Sequence, residues 1–169
     1  MEKDETNQFA YYYKQPHEVS KRFLDEIVAL VESGGSVNPR WVRSNIENAF
    51  LIGYVLIDDE LAGCSVLKNP RPEYTAAVKE QAGLDLSGFL ERGYTSVLPR
   101  FRGKGIGSRL LAGLTARIGE KKLYSVIGQD NIGGQKMAIN NNTKQVAVYK
   151  SRITGKEVGI WIPEWMLHR

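Results

Sequence analysis

The sequence of 169 residues holds one cysteine, Cys64, and can therefore close no internal disulfide. That fits a reducing compartment. Two histidines beside the lone cysteine are too few for a tetrahedral zinc centre, so no metal is expected. No apolar run approaches the roughly 20 residues needed to cross a bilayer, and no membrane role is expected. The opening stretch MEKDETNQFAYYYKQ has neither the basic start nor the apolar core of a secretory signal. Together these absences point to the cytoplasm. Internal repeats, low-complexity tracts and Pro/Gly/Ser linkers are also missing, so one domain over residues 1–169 is expected. The net charge of +4 suits an anionic cofactor or a nucleic-acid partner, and equally an ordinary basic surface.

What is present is a succession of strands and helices. FAYYYKQ (9–15) reads as a first strand. Residues 17–33 carry Val19, Phe23, Ile27, Leu30 and Val31 at helical spacing and end on Gly34 and Gly35. Asn38 as cap and Pro39 at the first position predict a second helix. Residues 50–57 and 61–68 form a hairpin about the turn DDE. RPEYTAAVKEQAG reads as a short helix, 88–98 as a strand and 105–119 as a helix. Residues 123–128 form another strand, and IGGQKMAINN a short helix. The end reads as a hairpin of TKQVAVYKS and EVGIWI. The expected class is α/β (α+β): a mixed central sheet with helices on both faces and a C-terminal β-hairpin.

The stretch VLPRFRGKGIGSRLL, Val97–Leu111, stands apart. An apolar strand stops at Pro99, and two arginines, a lysine and three glycines precede a helical apolar pattern. A helix N-terminus presents unpaired backbone N–H groups and the positive end of its dipole. Glycine removes the Cβ that would keep a phosphate from those amides. Arg102, Gly103, Lys104, Gly105, Ile106 and Gly107 thus form a plausible pyrophosphate cradle. It is not a P-loop, because Lys104 precedes the second glycine rather than following it. Nor is it a dinucleotide fingerprint: from Gly103 the last position falls on Ile106, and from Gly105 on Leu110.

The pattern that fits is R-x-x-G-x-G after a strand and V-x-P. It resembles the acyl-CoA-binding motif of the GNAT superfamily of N-acetyltransferases. ERGYTSVLPRFRGKGIGSRLL covers that strand–loop–helix unit. The upstream segment ending LKNPRPEY is similar to the N-terminal half of a bacterial GNAT subgroup, and VIGQDN resembles the family's fifth strand and the asparagine after it. The likeness spans about residues 20 to 142. It implies an acetyl-CoA-dependent transfer to a primary amine, by direct attack in a ternary complex. Acetyl-CoA would lie where parallel strands ending near Leu98 and Gly128 splay apart. A bulge in 94–98 would turn the backbone of Val97 and Leu98 toward the pantetheine arm. Amides from Gly103 to Ser108 would hold the pyrophosphate, Arg102 and Lys104 would screen its charge, and Asn131 would bond the pantetheine.

Acetyl transfer to an amine needs a group that takes the amine's proton and a donor for the leaving thiolate. Glu91, six residues before Val97 on one strand, matches the glutamate that many members carry and is the expected base. Alternation places Glu91, Gly93, Thr95 and Val97 on one face unless a bulge intervenes. The family's usual acid, a tyrosine seven residues beyond the asparagine, falls on Ala138 when counted from Asn131. Counted from Asn142 it falls on Tyr149, which sits in a stretch that reads as strand. Tyr94 and Tyr124 lie nearer the expected cleft, and no single acid is selected.

Cys64, in an apolar strand, reads as a buried structural thiol. His17 and His168 read as structural or solvated, and the tyrosine run and Trp161 and Trp165 as packing. The acceptor is a small molecule or a peptide amine. A toxin-type aminoacyl-tRNA acetyltransferase and a non-catalytic acyl-CoA-binding or regulatory module are the alternatives within the fold. A nucleic-acid surface of Arg100, Arg102, Lys104, Arg109, Lys121 and Lys122 is disfavoured, because the glycine spacing suits a compact phosphate. The terminal hairpin offers an edge for a homodimer.

Overall fold

The computed structural model describes residues 2–4, 8–35, 37–152 and 154–168, with side chains described from residue 8 onward. The chain gathers into two compact units. One comprises residues up to Asn69 together with Gly93–Arg117, and the other Pro70–Arg92 with Ile118 onward.

In the first unit, β1 (Glu2–Asp4), β2 (Phe9–Lys14), β3 (Leu51–Ile57) and β4 (Glu60–Lys68) form an antiparallel ladder in that order. Strand β5 (Leu90–Val97) continues it with its later residues. The β3–β4 turn places Asp58 and Asp59 at φ 49° and 62°. Aspartate is one of the few residues that accept the left-handed region, and a turn of this hand matches the twist of a hairpin. The ladder is covered on both faces. Helices α1 (Lys21–Ser33) and α2 (Pro39–Glu47) bury Ile27, Val31, Val42 and Ile46 against Ile52, Cys64 and Val66. Helix α4 (Ile106–Thr115) buries Ile106 and Leu110 against Phe9, Tyr11, Val55 and Ala62.

Side-chain caps set the helix starts. Ser20 Oγ accepts the Phe23 N–H at 3.2 Å, and Asn38 Oδ1 accepts the Arg40 N–H at 3.2 Å. The first helix therefore begins at Lys21 rather than at residue 17. Pro16–Glu18 forms a separate 3₁₀ turn, and Val19 falls outside both. The three-residue strand β1 has too little pattern to be read from sequence.

Helix α4 crosses the sheet closely. A Cβ on Gly113 would lie 1.9 Å from the Tyr13 hydroxyl oxygen, so only hydrogen fits there. Tyr13 donates its hydroxyl to Arg109 O at 3.4 Å, and the Arg117 guanidinium stands 3.9 Å from the Tyr13 ring centroid.

In the second unit, the start of β5 runs parallel to β6 (Leu123–Gly128), with Leu90 opposite Leu123 and Glu91 opposite Tyr124. Strand β8 (Glu157–Pro163) pairs antiparallel with both β6 and β7 (Thr143–Lys150), and β7–β8 is the expected C-terminal hairpin. Helix α3 (Pro72–Ala82) packs on β7 and ends on Gly83 at φ 71°. Helix α5 (Ile132–Asn140) packs against β6 and β7. The architecture is mixed α/β, as expected. No helix among the described residues is long and apolar enough to cross a membrane, and no cluster there could hold a metal ion.

Candidate active site

The cradle is built almost entirely from backbone. After β5, Pro99–Phe101 makes a 3₁₀ turn, and Phe101 fixes the loop by an edge-on contact with Phe9, ring centroids 6.1 Å apart. Gly103 and Gly105 then adopt φ 78° and 76°. These left-handed values are ones that side chains rarely take. Nothing lies within 4 Å of where a Cβ would project at either position, so the space in front of the loop is open. Gly105 is the N-cap of α4, and the first intrahelical bond runs from Arg109 N–H to Gly105 O at 3.0 Å. The amides of Ile106, Gly107 and Ser108 therefore belong to the helix's opening turn, where a dipole of about half a positive charge gathers. Lys104 is exposed between the two glycines. This donor set fits a pyrophosphate.

Two of the expected binding groups have partners within the protein. The Leu98 N–H is donated to Ala62 O at 2.9 Å, and Val97 O accepts from Arg102 Nε at 3.0 Å. Arg102 thus fastens the loop's two ends. The strand does break its alternation, at Tyr94, which holds φ 54°. Gly93 and Tyr94 both face Lys68: a Cβ on Gly93 would sit 3.5 Å from its Nζ, and Nζ stands 3.8 Å from the Tyr94 ring centroid. Two successive residues turned to one neighbour is the effect of a bulge. Val97 accordingly packs with Ile106 while Tyr94 and Leu98 pack with α1 and α2. Tyr94 is fixed by Asn45, whose Nδ2 donates to its hydroxyl at 2.8 Å.

Glu91 lies before that bulge, half-buried, directly opposite Tyr124. Burial raises the pKa of the Tyr124 hydroxyl first, and the Glu91 charge and a hydrogen-bond approach to Glu91 raise it further. The approach falls short of a well-formed hydrogen bond, and the hydroxyl has no other partner among the described residues. Tyr74 of α3 and Tyr149 of β7 meet hydroxyl to hydroxyl at 3.2 Å. Burial is also the main cause that raises Tyr74, followed by Glu91 and Tyr149, and it raises Tyr149 with Glu91 adding to it. All three phenols keep their protons at neutral pH. The next residue, Arg92, points away into the interior. It is 2% exposed, donates from Nη2 to Thr143 Oγ1 at 3.3 Å, and is lowered to about 10 by burial.

Asn131 is the N-cap of α5, its Oδ1 accepting the Gly134 N–H at 2.9 Å. Cys64 is fully buried, and desolvation pushes its thiol up to about 12. That is an inert structural thiol, as its apolar strand predicts. Trp161 is buried, whereas Trp165 is exposed on the terminal 3₁₀ turn. Three of the basic residues considered for nucleic acid have internal partners. Arg100 pairs with Glu60, Arg109 stands 4.2 Å from the Tyr11 ring centroid, and Lys122 stands 5.9 Å from that of Phe89. Tyr74 is the site residue that single-sequence reading passed over. No spacing within α3 marks it, and only the fold brings it to Tyr149.

Residues 23–151 match the profile of the acetyltransferase (GNAT) family. The chain belongs to this family, whose members transfer acetyl groups from acetyl-CoA. ElaA from Escherichia coli is similar in fold, at 14% identity and a TM-score of 0.62, with 91% of this chain and 99% of that chain covered. A GNAT-family acetyltransferase from Streptococcus agalactiae gives 15% identity and a TM-score of 0.69 over 91% of this chain and 95% of that one. Naa50 of Arabidopsis thaliana, in complex with the bisubstrate analogue CoA-Ac-MVNAL, gives 15% identity and a TM-score of 0.61 over 89% and 96%. At these identities the likeness speaks for the fold alone. No curated protein matches the chain.

Proposed function

We propose that residues 1–169 act as one acetyltransferase domain of the cytoplasm, moving the acetyl group of acetyl-CoA to the nitrogen of a primary amine. The observation that carries this reading is the pair of left-handed glycines, Gly103 and Gly105, opening clear space before the first turn of α4. Amides from Gly103 to Ser108 hold the pyrophosphate, with Arg102 and Lys104 supplying positive charge. The backbone of Val97 and Leu98 and the side chain of Asn131 line the pantetheine arm, Asn131 through the amide nitrogen that its capping oxygen leaves over.

Glu91 is the base. An ammonium has no lone pair to attack with, so its proton passes to the Glu91 carboxylate. The nitrogen then bonds to the acetyl carbon, the carbon–sulfur bond breaks, and the electron pair leaves on the CoA sulfur. The second proton, which the nitrogen sheds as the amide forms, neutralises that thiolate, and Glu91 releases the first to solvent.

Thermal unfolding with and without acetyl-CoA tests this reading. At a hundredfold excess over the dissociation constant, binding to the native state adds about 2.7 kcal/mol. The double change Gly105→Trp/Gly107→Trp fills the cradle and abolishes that gain. A wild-type protein that melts at one temperature with and without acetyl-CoA overturns the assignment.

A further inference from the structure

Four oxygen-bearing side chains from four separate elements converge in the second unit. Glu91 of β5 and Tyr124 of β6 are register partners in a parallel pair, so their side chains share a face. Tyr74 of α3 and Tyr149 of β7 touch through their hydroxyls. The Glu91 charge acts on all three phenols, and α3, which carries Tyr74, packs on β7, which carries Tyr149. Tyr124 is fully buried, while Glu91, Tyr74 and Tyr149 are half-buried.

Packing alone does not account for this chemistry. Phenylalanine would fill the same volume, whereas a buried hydroxyl that lacks a well-formed hydrogen bond costs stability. The Tyr124 hydroxyl is in that position. A phenol carries one proton and two lone pairs. Within the Tyr74–Tyr149 pair one hydroxyl donates and the other accepts, which leaves lone pairs on both. A carboxylate, three phenol oxygens and the faces of three rings make a receptor rich in acceptors and negative potential. Its complement is a cation with several N–H donors.

We propose that Glu91, Tyr124, Tyr74 and Tyr149 form the receptor for the acceptor ammonium, and that it selects alkyl- or arylalkylamines over amines with a carboxylate on the adjacent carbon. This rests on the acetyl-transfer reading for what becomes of the bound amine, but not for the binding itself. Such a carboxylate would bring a second negative charge beside Glu91 in a partly desolvated setting, where like charges repel strongly. Tyr74 is a specificity residue here. Its hydroxyl supplies a lone pair and holds Tyr149 in place.

Calorimetric titration of the full chain, without any acyl donor, tests the receptor directly. The probes are two matched pairs: phenethylamine against phenylalanine, and butylamine against norvaline. The decarboxylated member of each pair binds at least about tenfold more tightly, and Tyr74→Phe and Tyr149→Phe each erase about tenfold of that affinity, the scale of one lost hydrogen bond. Both variants keep the melting temperature and the acetyl-CoA response of the wild type. Equal or tighter binding of the amino acids, no binding of either amine, or full affinity in Tyr74→Phe overturns the proposal. A protein that binds the amines but shows no acetyl-CoA response keeps the receptor and loses the acetyl-transfer reading.

Discussion

The cradle at the start of α4 and the tyrosine cluster around Glu91 are built in opposite ways. The cradle is local. Fifteen consecutive residues supply its strand end, its two left-handed glycines and its helix, and the donors are backbone amides that any sequence with that geometry would present. The cluster is assembled from side chains of α3, β5, β6 and β7, and its two touching hydroxyls are 75 positions apart. The comparison teaches that a fixed part of a substrate can be met by a short motif, whereas a variable part is met by side chains that tertiary structure collects.

The sharpest way to separate the two is Glu91→Gln. It lowers kcat by about 10²–10⁴-fold, the usual worth of a positioned acid or base, and leaves the acetyl-CoA-induced rise in melting temperature intact. If both disappear together, the regions are not separable. Next in size is Leu110→Ala, behind the cradle and fully buried. It costs about 2–5 kcal/mol of stability in urea titration, and at a temperature where the variant is folded the amine affinities stay those of the wild type.

Cys64 gives a pH-dependent difference. Its folded pKa of about 12 lies above the ordinary 9.0. Below 9 the thiol is protonated in both states and its contribution to stability is complete. Above 9 the unfolded chain releases the proton while the folded one retains it, so stability falls by up to about 1.4 kcal/mol per pH unit until about 12. Cys64→Ala removes the part of that decline that begins near pH 9, and the raised tyrosines of the second unit leave a further decline above 10. Denaturant titrations from pH 8 to 11 distinguish the two contributions. The smallest effect is that of Asn131→Ala, which removes the α5 cap and costs about 1 kcal/mol.

Much of the fold was legible because its signals are local. Asn38 and Pro39, the Asp58–Asp59 turn and the apolar stripe of α4 each act within a few residues of themselves. The first helix was placed four residues early, because the periodicity of Val19 continues across a Pro16 turn that only the Ser20 cap ends. Glu91 is singled out in the sequence only by the resemblance, which implies a glutamate six residues before Val97 on the same strand. The tyrosines beside it could not be ranked. Tyr94 and Tyr124 looked alike in sequence, yet Tyr94 is fastened to Asn45 by the bulge in β5, and only Tyr124 faces Glu91. Tyr149 reads as a packed strand residue and is one, and its hydroxyl still reaches Tyr74.

Gly113 carries a consequence for aim. Its missing methyl is a notch into which the Tyr13 ring fits, and the ring's hydroxyl reaches the carbonyl of Arg109 one turn earlier. Each residue of a helix turns the next by about 100°, so a helix seated one residue out of phase would point its end elsewhere. The notch indexes α4 to a single rotational setting. The direction in which Ile106, Gly107 and Ser108 present their amides is thus fixed two turns downstream of them, by an atom that is not there.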